Sequence, residues 1–520
     1  MDPSVKIKNV RESNQTERKP VAVSLGCHVK GVALPHVDPG DARTMLDGVR
    51  KRFACQMPGR NKELLDELRE FVKRKIPKMF KPLSPTSDVS VETWLESTKY
   101  PLWRKKQLID CWKRAQDPND PKYSEVKSFI KDETYVDWKH ARGINSRDDV
   151  KKCQIGPIFR LIEKEVFKLP NFIKKVPVRD RPQYLIDRHY KPGLRYAGTD
   201  FSQFEAHFDR ELMEAIEFQL YEYMVSELPA GPEWMRIVRE VISGVNKCVY
   251  KFFTLFIEAR RMSGEMNTSL GNGFANLMLL LFMFHKMGEE VDPTVEGDDG
   301  ITGFSGKVPD KNLISDLGLC LKMDVYEELT HASFCGMVFD FKARNIITNP
   351  STELAAFGWT TSQYAKSSVN RHKALLRAKA FSMAYQYPGC PILWKLAQYG
   401  LRVTEGLKAK PSRMNEYERE QFLEMISFVN DNKLKGLPEI PIIEPSIATR
   451  QLVEKLYGIT IDAQLRIEEY LDNKTEISPL DHGQIHTIMS RTWEVYFQNY
   501  TYKGPVPRSD IFPPFVHVVY

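Results

Sequence analysis

The chain has 520 residues, 42% hydrophobic and 28% charged, which argues against a disordered, collagenous or membrane class and fits two to four folded units at roughly 100–200 residues each. The longest apolar run, Leu277 to Phe284, has eight residues, well short of the roughly 18 a membrane span needs, and the N-terminus lacks a signal-peptide core. The net charge of +7 divides unevenly, with +15 over residues 1–200 and −8 over 201–520: one part suits a polyanion while another concentrates acids.

The eight cysteines form no C-x-x-C pair, a pattern of isolated thiols in a reducing compartment rather than a disulfide framework. His331 and Cys335 have ligand-like spacing without a matching second pair, so ordinary side chains are a better reading than a zinc site.

In chain order, an irregular start contains one helix near 40–53. Leu64, Leu65, Leu68, Phe71 and Val72 then recur at helical spacing over 61–80. A basic run follows, and Pro82 and Pro85 close the segment. Residues 91–165 hold short, aromatic-rich elements studded with Lys and Arg. The stripe Phe208, Leu212, Ile216, Leu220, Tyr223 predicts a helix over 207–226. Residues 248–258 are β-branched and aromatic, hence a strand or hairpin. A long apolar helix is expected over about 268–287, then a hairpin centred on Gly297 to Gly300. After 350 the pattern is mostly helical and includes the basic Arg371, Lys373, Arg377 and Lys379. Residues 436–446 are a Pro-rich loop, and the C-terminal tail is rich in Pro and aromatics.

Three segments carry chemistry. In TVEGDDGITGF (294–304), Asp298 and Asp299 sit at the tip of a strand–turn–strand. Adjacent carboxylates raise each other's pKa, which a hard divalent cation relieves; a hydrophilic turn uses the same letters. In TDFSQFEAHFD (199–209), Asp200 ends a strand and Glu205 follows five residues later; an acid there could join a two-metal site, or cap a helix. In SGEMNTSLGN (263–272), a polar, Gly-containing loop enters a helix N-terminus, able to take a phosphate or to be a capped loop.

Taken together and in order, D-x4-E, S-G-x3-T-x3-N and G-D-D resemble motifs A, B and C of the RNA-dependent RNA polymerases of positive-strand RNA viruses. RMSGEMNTSLGNGFANL (261–277) looks most like the tombusvirus-like and nodavirus-like groups. HASFCGMVF (331–339) resembles motif E, and TELAAFG (352–358) the entry to the thumb. The resemblance covers about residues 90–400. It implies an α/β (α+β) right-hand fold of fingers, palm and thumb, the palm an antiparallel sheet backed by helices with the motif A strand beside the motif C hairpin. The implied division is an N-terminal extension over 1–85 bridging fingers to thumb, fingers over 86–195, palm over 196–345 with a fingers insertion at about 210–260, and thumb and C-terminal region over 346–520.

The resemblance also implies roles. Asp200, Asp298 and Asp299 would be catalytic and would ligate two Mg²⁺ or Mn²⁺ ions. Glu205 stands where the family usually has Asp, near the ribose. Asn272 matches the residue that senses the 2′-hydroxyl, supported by Thr268, with Ser263 and Gly264 forming the motif B loop. KHARGINSR (139–147) resembles motif F, giving Lys139 and Arg142 as triphosphate ligands, with Arg147 and Lys131 weaker candidates; the alternative is a solvated loop. Arg104, Lys105 and Lys106 lie in the motif G region and would touch template phosphates. Lys322 is the nearest match to the motif D general acid. Glu296, before the acid pair, departs from the small or apolar residue common there.

The implied activity is template-directed transfer of nucleotides from NTPs to an RNA 3′-hydroxyl, for viral genome replication and transcription. The implied partners are RNA template, product duplex, NTPs and other viral replication proteins. The implied location is the host cytoplasm, at membrane-associated replication complexes reached through a partner, since the chain has no spanning segment of its own. The alternatives are a reverse transcriptase-like polymerase, disfavoured by Glu296 and Asn272, and a non-catalytic viral RNA-binding protein, which leaves the acid pair without a purpose. A phosphate-loop ATPase is a third, weakly suggested by GITGFSGKV (300–308).

Overall fold

A computed structural model describes residues 2–11, 21–34, 37–136, 139–408, 416–489 and 517–519. It is a mixed α/β molecule whose strands form four sheets. Apart from 517–519, the C-terminal tail singled out above lies outside the described residues.

The sheet that matters most is a four-stranded antiparallel one, ordered Leu321–Tyr326, Arg195–Phe201, Asp299–Phe304, Thr294–Glu296. Strand Arg195–Phe201 therefore lies beside the 294–304 hairpin, as the resemblance implies. Behind it runs helix Thr268–Lys286, apolar on nearly every face and buried from Leu270 to Leu280. A helix of that composition has to sit inside a core. Helix Lys62–Met79 starts at Asn61, whose side chain accepts from the Leu64 N–H. It turns the predicted stripe inward, where Phe71 meets Phe282 edge-on at 5.4 Å.

The five-stranded sheet is ordered Lys6–Lys8, Thr254–Glu258, Val245–Val249, Glu125–Ile130, Gly143–Arg147. Its middle strands alternate buried and exposed residues. The expected 248–258 hairpin supplies two of its strands. Strand Val21–Ser24 joins a different sheet, between Trp359–Thr360 and His517–Val519. The first 24 residues thus reach both sheets. A second core lies beneath helices Val369–Gln386, Leu393–Val403, Ile447–Tyr457 and Ile461–Asn473.

Three readings need correction. The stripe over 207–226 is buried except for half-buried Tyr223, but it does not lie on one helix. The segment breaks into Phe204–His207, Arg210–Ala215 and Glu217–Val225, with Ile216 at φ −118°, ψ −77° between the last two. The break falls where Glu217 enters a buried ion pair with Arg261. In the basic stretch, Arg377 donates to the carbonyls of Leu401 and Thr404, and Lys379 to those of Ala356 and Trp359, so both brace the helices around them. Residues 300–308 begin as a strand and reach only a four-residue helix at Asn312–Ser315, which removes the long helix a phosphate loop abuts.

Candidate active site

The acid pair straddles the end of a two-residue turn, Asp298 within it and Asp299 opening the returning strand. Glu296 pairs with Asp299, and Gly297 and Asp298 fill the turn between them. Gly297 takes φ +59° at the first turn position, where a side chain would be strained. Gly300 makes the next demand: a Cβ there would lie 2.6 Å from Thr199 Oγ1 and 2.7 Å from Leu280 Cδ1. The hairpin therefore lies flat on its neighbours only because residue 300 is glycine.

Asp200 is carried on the adjacent strand, with Thr199 directly opposite Gly300. Burial, then Glu205 and Asp200, push Asp298 up to about 6, with Arg142 opposing. Burial, then Asp298 and Asp200, push Asp299 up to about 7, while a hydrogen bond from Cys335 pulls the other way. Burial and the neighbouring carboxylates thus disfavour the charged forms of Asp298 and Asp299, the condition a cation relieves. Among the described residues no three acids, histidines or cysteines are packed closely enough to enclose a metal unaided. That fits Mg²⁺, which binds through one or two carboxylates and fills its other positions with water and phosphate. A cation within the protein lies beside them: the Lys322 ammonium is 3.6 Å from Asp200 Oδ2.

Asn272, in the first turns of the central helix, donates from Nδ2 to Glu205 Oε1 at 3.1 Å, so these two predicted residues meet. Thr268 lies elsewhere: its hydroxyl donates to the Met262 carbonyl at 2.7 Å and accepts from the Glu265 N–H, closing the 262–268 loop. Ser263 donates to the Gly143 carbonyl at 2.8 Å, and Gly264 N–H donates to the Asn145 carbonyl at 3.1 Å. A Cβ at Gly264 would sit 2.8 Å from that same carbonyl. The loop is thereby sewn to strand Gly143–Arg147.

The predicted cations divide into two kinds. Arg142 is half-exposed and within electrostatic range of Glu205 and Asp298, and Lys139 is exposed. Glu133 grips Arg142 at 2.8 and 2.9 Å, Lys131 at 3.0 Å and the Tyr135 hydroxyl at 2.5 Å. Burial pulls the Glu133 carboxyl up, but these bonds prevail and hold it at about 2. Arg147 is buried against Glu265 at 2.6 Å, so it braces the loop and does not face solvent. Arg104 is likewise engaged, bidentate to Asp149 at 2.7 and 2.6 Å, and Lys105 donates to the Glu96 carbonyl at 3.4 Å, while Lys106 is exposed.

Beside the acids opens a cavity of about 1950 Å³ whose lining includes Lys152, Arg160, Lys174, Lys175 and Arg181. Glu296 lines it too; burial raises its carboxyl, and Arg181 and Lys174 partly offset this. The hairpin of Ser333–Phe334 and Met337–Asp340 turns through Cys335 and Gly336, at φ +54° and +71°, on the same side.

Two functional positions escaped the sequence reading. Asn276, wholly buried, donates Nδ2 to the carbonyls of Gly297 and Asp299 at 3.1 and 2.8 Å, tying the central helix to the acid turn. Its signal was present: an Asn four residues after Asn272, in an otherwise apolar run. Arg261 pairs with Glu217 and also donates to Asn272 Oδ1. No spacing rule links residues 44 positions apart.

The chain is similar to viral RNA-directed RNA polymerases, which bears out the resemblance carried by the three motifs. It is 23% identical over 429 residues to the RNA-directed RNA polymerase of Turnip crinkle virus, covering 76% of this chain and 52% of that one. It is 24% identical over 377 residues to that of Panicum mosaic virus, covering 67% and 36%, and 27% identical over 264 residues to that of Oat chlorotic stunt virus, covering 45% and 34%. The matched region spans about half the length of the first relative and about a third of the other two. No family model matches the chain.

Proposed function

We propose that this chain is an RNA-directed RNA polymerase of a positive-strand RNA virus in the tombusvirus-like group. The observation that carries the reading is the meeting of Asp200, on one strand, with the Asp298–Asp299 turn of the next. The four-stranded sheet is then the palm, the five-stranded sheet belongs to the fingers, and the helical region after 346 is the thumb. Strands Lys6–Lys8 and Val21–Ser24 each pair with a different sheet, and so would link fingers to thumb.

Two divalent ions held by Asp200, Asp298 and Asp299 would activate the RNA 3′-hydroxyl and stabilise the leaving pyrophosphate. The 3′-oxygen bonds to the α-phosphorus, and the bond to the β-phosphate oxygen breaks. Arg142 and Lys139 hold the triphosphate; the guanidinium suits this because it binds oxygens in pairs and stays charged. Lys322, beside Asp200, would give the departing pyrophosphate a proton. Glu205 and Asn272 face the ribose, whose 2′-hydroxyl both donates and accepts. The cationic cavity takes the template through phosphate contacts, which are sequence-independent. Among the described residues no helix is long and apolar enough to cross a membrane; attachment to host membranes, in this reading, comes through a partner.

The test is incorporation of labelled NTP on an RNA template with Mg²⁺ or Mn²⁺. Wild type should extend the RNA and Asp298→Asn should not; retained synthesis in the variant would sink the assignment.

A further inference from the structure

We infer that Arg261 and Glu217 are positioning residues for sugar selection: their buried ion pair fixes which way the Asn272 amide faces. The inference rests on the polymerase reading and deepens it.

Glu217 is 0% exposed and Arg261 1%, with Nη2 2.7 Å from Oε1. An ion pair buried that deeply adds little net stability, because desolvation cancels most of the attraction. Its geometry supplies another use. Nη1 of the same guanidinium donates to Asn272 Oδ1. An amide has one accepting end and one donating end. With Oδ1 held by a cation, Nδ2 is left facing Glu205, which it reaches at 3.1 Å. The flipped amide would set an NH₂ against a guanidinium, donor against donor. Asn272 therefore presents a donor to the site and Glu205 an acceptor.

The surroundings fix the guanidinium in turn. Its carbon lies 3.9 Å from the centre of the Phe208 ring. Glu217 Oε2 accepts from the Tyr221 hydroxyl at 2.9 Å and from Asn267 Nδ2 at 3.2 Å. Gly271, one residue before Asn272, leaves the room: a Cβ there would lie 2.4 Å from Glu217 Oε2 and 3.2 Å from Arg261 Cζ.

The test compares kcat/KM for an NTP and its 2′-deoxy analogue on one template. Arg261→Met with Glu217→Met removes both charges and leaves neither stranded. Arg261→Lys keeps the charge and loses the planar fork. Gly271→Ala strikes the pair from the opposite side. Sites built to bond a hydroxyl reject the analogue lacking it by large factors, so the NTP preference should fall about tenfold or more, through KM for the NTP, with deoxy-NTP use nearly unchanged. Thermal unfolding monitors the fold, and Arg261→Lys carries the decision if the double variant does not fold. Folded variants that keep the wild-type ratio, or lose both sugars equally, overturn the assignment alone. A wild-type chain that incorporates neither sugar overturns the polymerase reading and this inference with it.

Discussion

Lys322 stands directly across the sheet from Asp200, its ammonium 3.6 Å from the carboxylate. The side chains are 66% and 48% exposed, so the pair is weak and exchangeable. If Lys322 is the proton donor, Lys322→Met should lower kcat by about 100-fold, within the range for a general acid, and leave KM for NTP unchanged. Single-turnover incorporation reads this; a raised KM at constant kcat would make Lys322 a phosphate anchor instead.

The acid pair makes metal-free stability depend on pH. Asp298 and Asp299 titrate near 6 and near 7 in the fold, against an ordinary value of 3.8. The folded state therefore binds more protons than the unfolded chain from about pH 4 to 7, and stability falls as pH rises through that window. Asp298→Asn should unfold at a higher temperature than wild type at about pH 8 in chelator, with a gain of about 1–2 kcal/mol once partial exposure is discounted, and the advantage should shrink at about pH 4. Paired melts at the two pH values check it. Added Mg²⁺ should stabilise wild type more than the variant.

Asn276→Leu should loosen the acid turn. It leaves the Gly297 and Asp299 carbonyls without their donor, a cost of about 2–4 kcal/mol for two bonds lost at a buried site. Urea unfolding measures the loss. Synthesis should fall further than stability explains, because the turn loses its register with Asp200.

In the polymerase reading, Glu133 would compete with an incoming triphosphate for Arg142, which it already holds at 2.8 and 2.9 Å. Arg142→Ala should raise KM for NTP about tenfold, since it removes a charge-assisted phosphate contact. Glu133→Gln should change KM less, by weakening both the restraint and the alignment. Steady-state kinetics at two salt concentrations separates them: the Arg142 contribution should fade as salt rises.

What the sequence made legible is local. The amphipathic stripe of Leu64 to Val72, the apolar run from 268 and the Gly–Asp turn each depend on neighbours a few residues apart, and each appears as expected. The pairing of Asp200's strand with the acid hairpin was implied by the family resemblance and not by any local pattern. Periodicity misled at 207–226, because burial of every stripe residue does not require one continuous axis, and a buried Glu217 can interrupt it. The cations were legible as a group and not one by one. Arg147 and Arg104 look like Arg142 in sequence, yet Glu265 and Asp149, 118 and 45 positions away, engage them. Such partners are set by tertiary packing, which no local pattern encodes.

The Glu217–Arg261–Gly271 arrangement has a consequence for descent. Replacing either ion strands a charge in the core, and enlarging the glycine presses on both. The three positions should therefore be inherited as a unit, with a change at one favouring a compensating change at another. Across relatives they should covary more tightly than the exposed Lys322 does with any neighbour, so a descendant that abandons the pair should show it at all three places together.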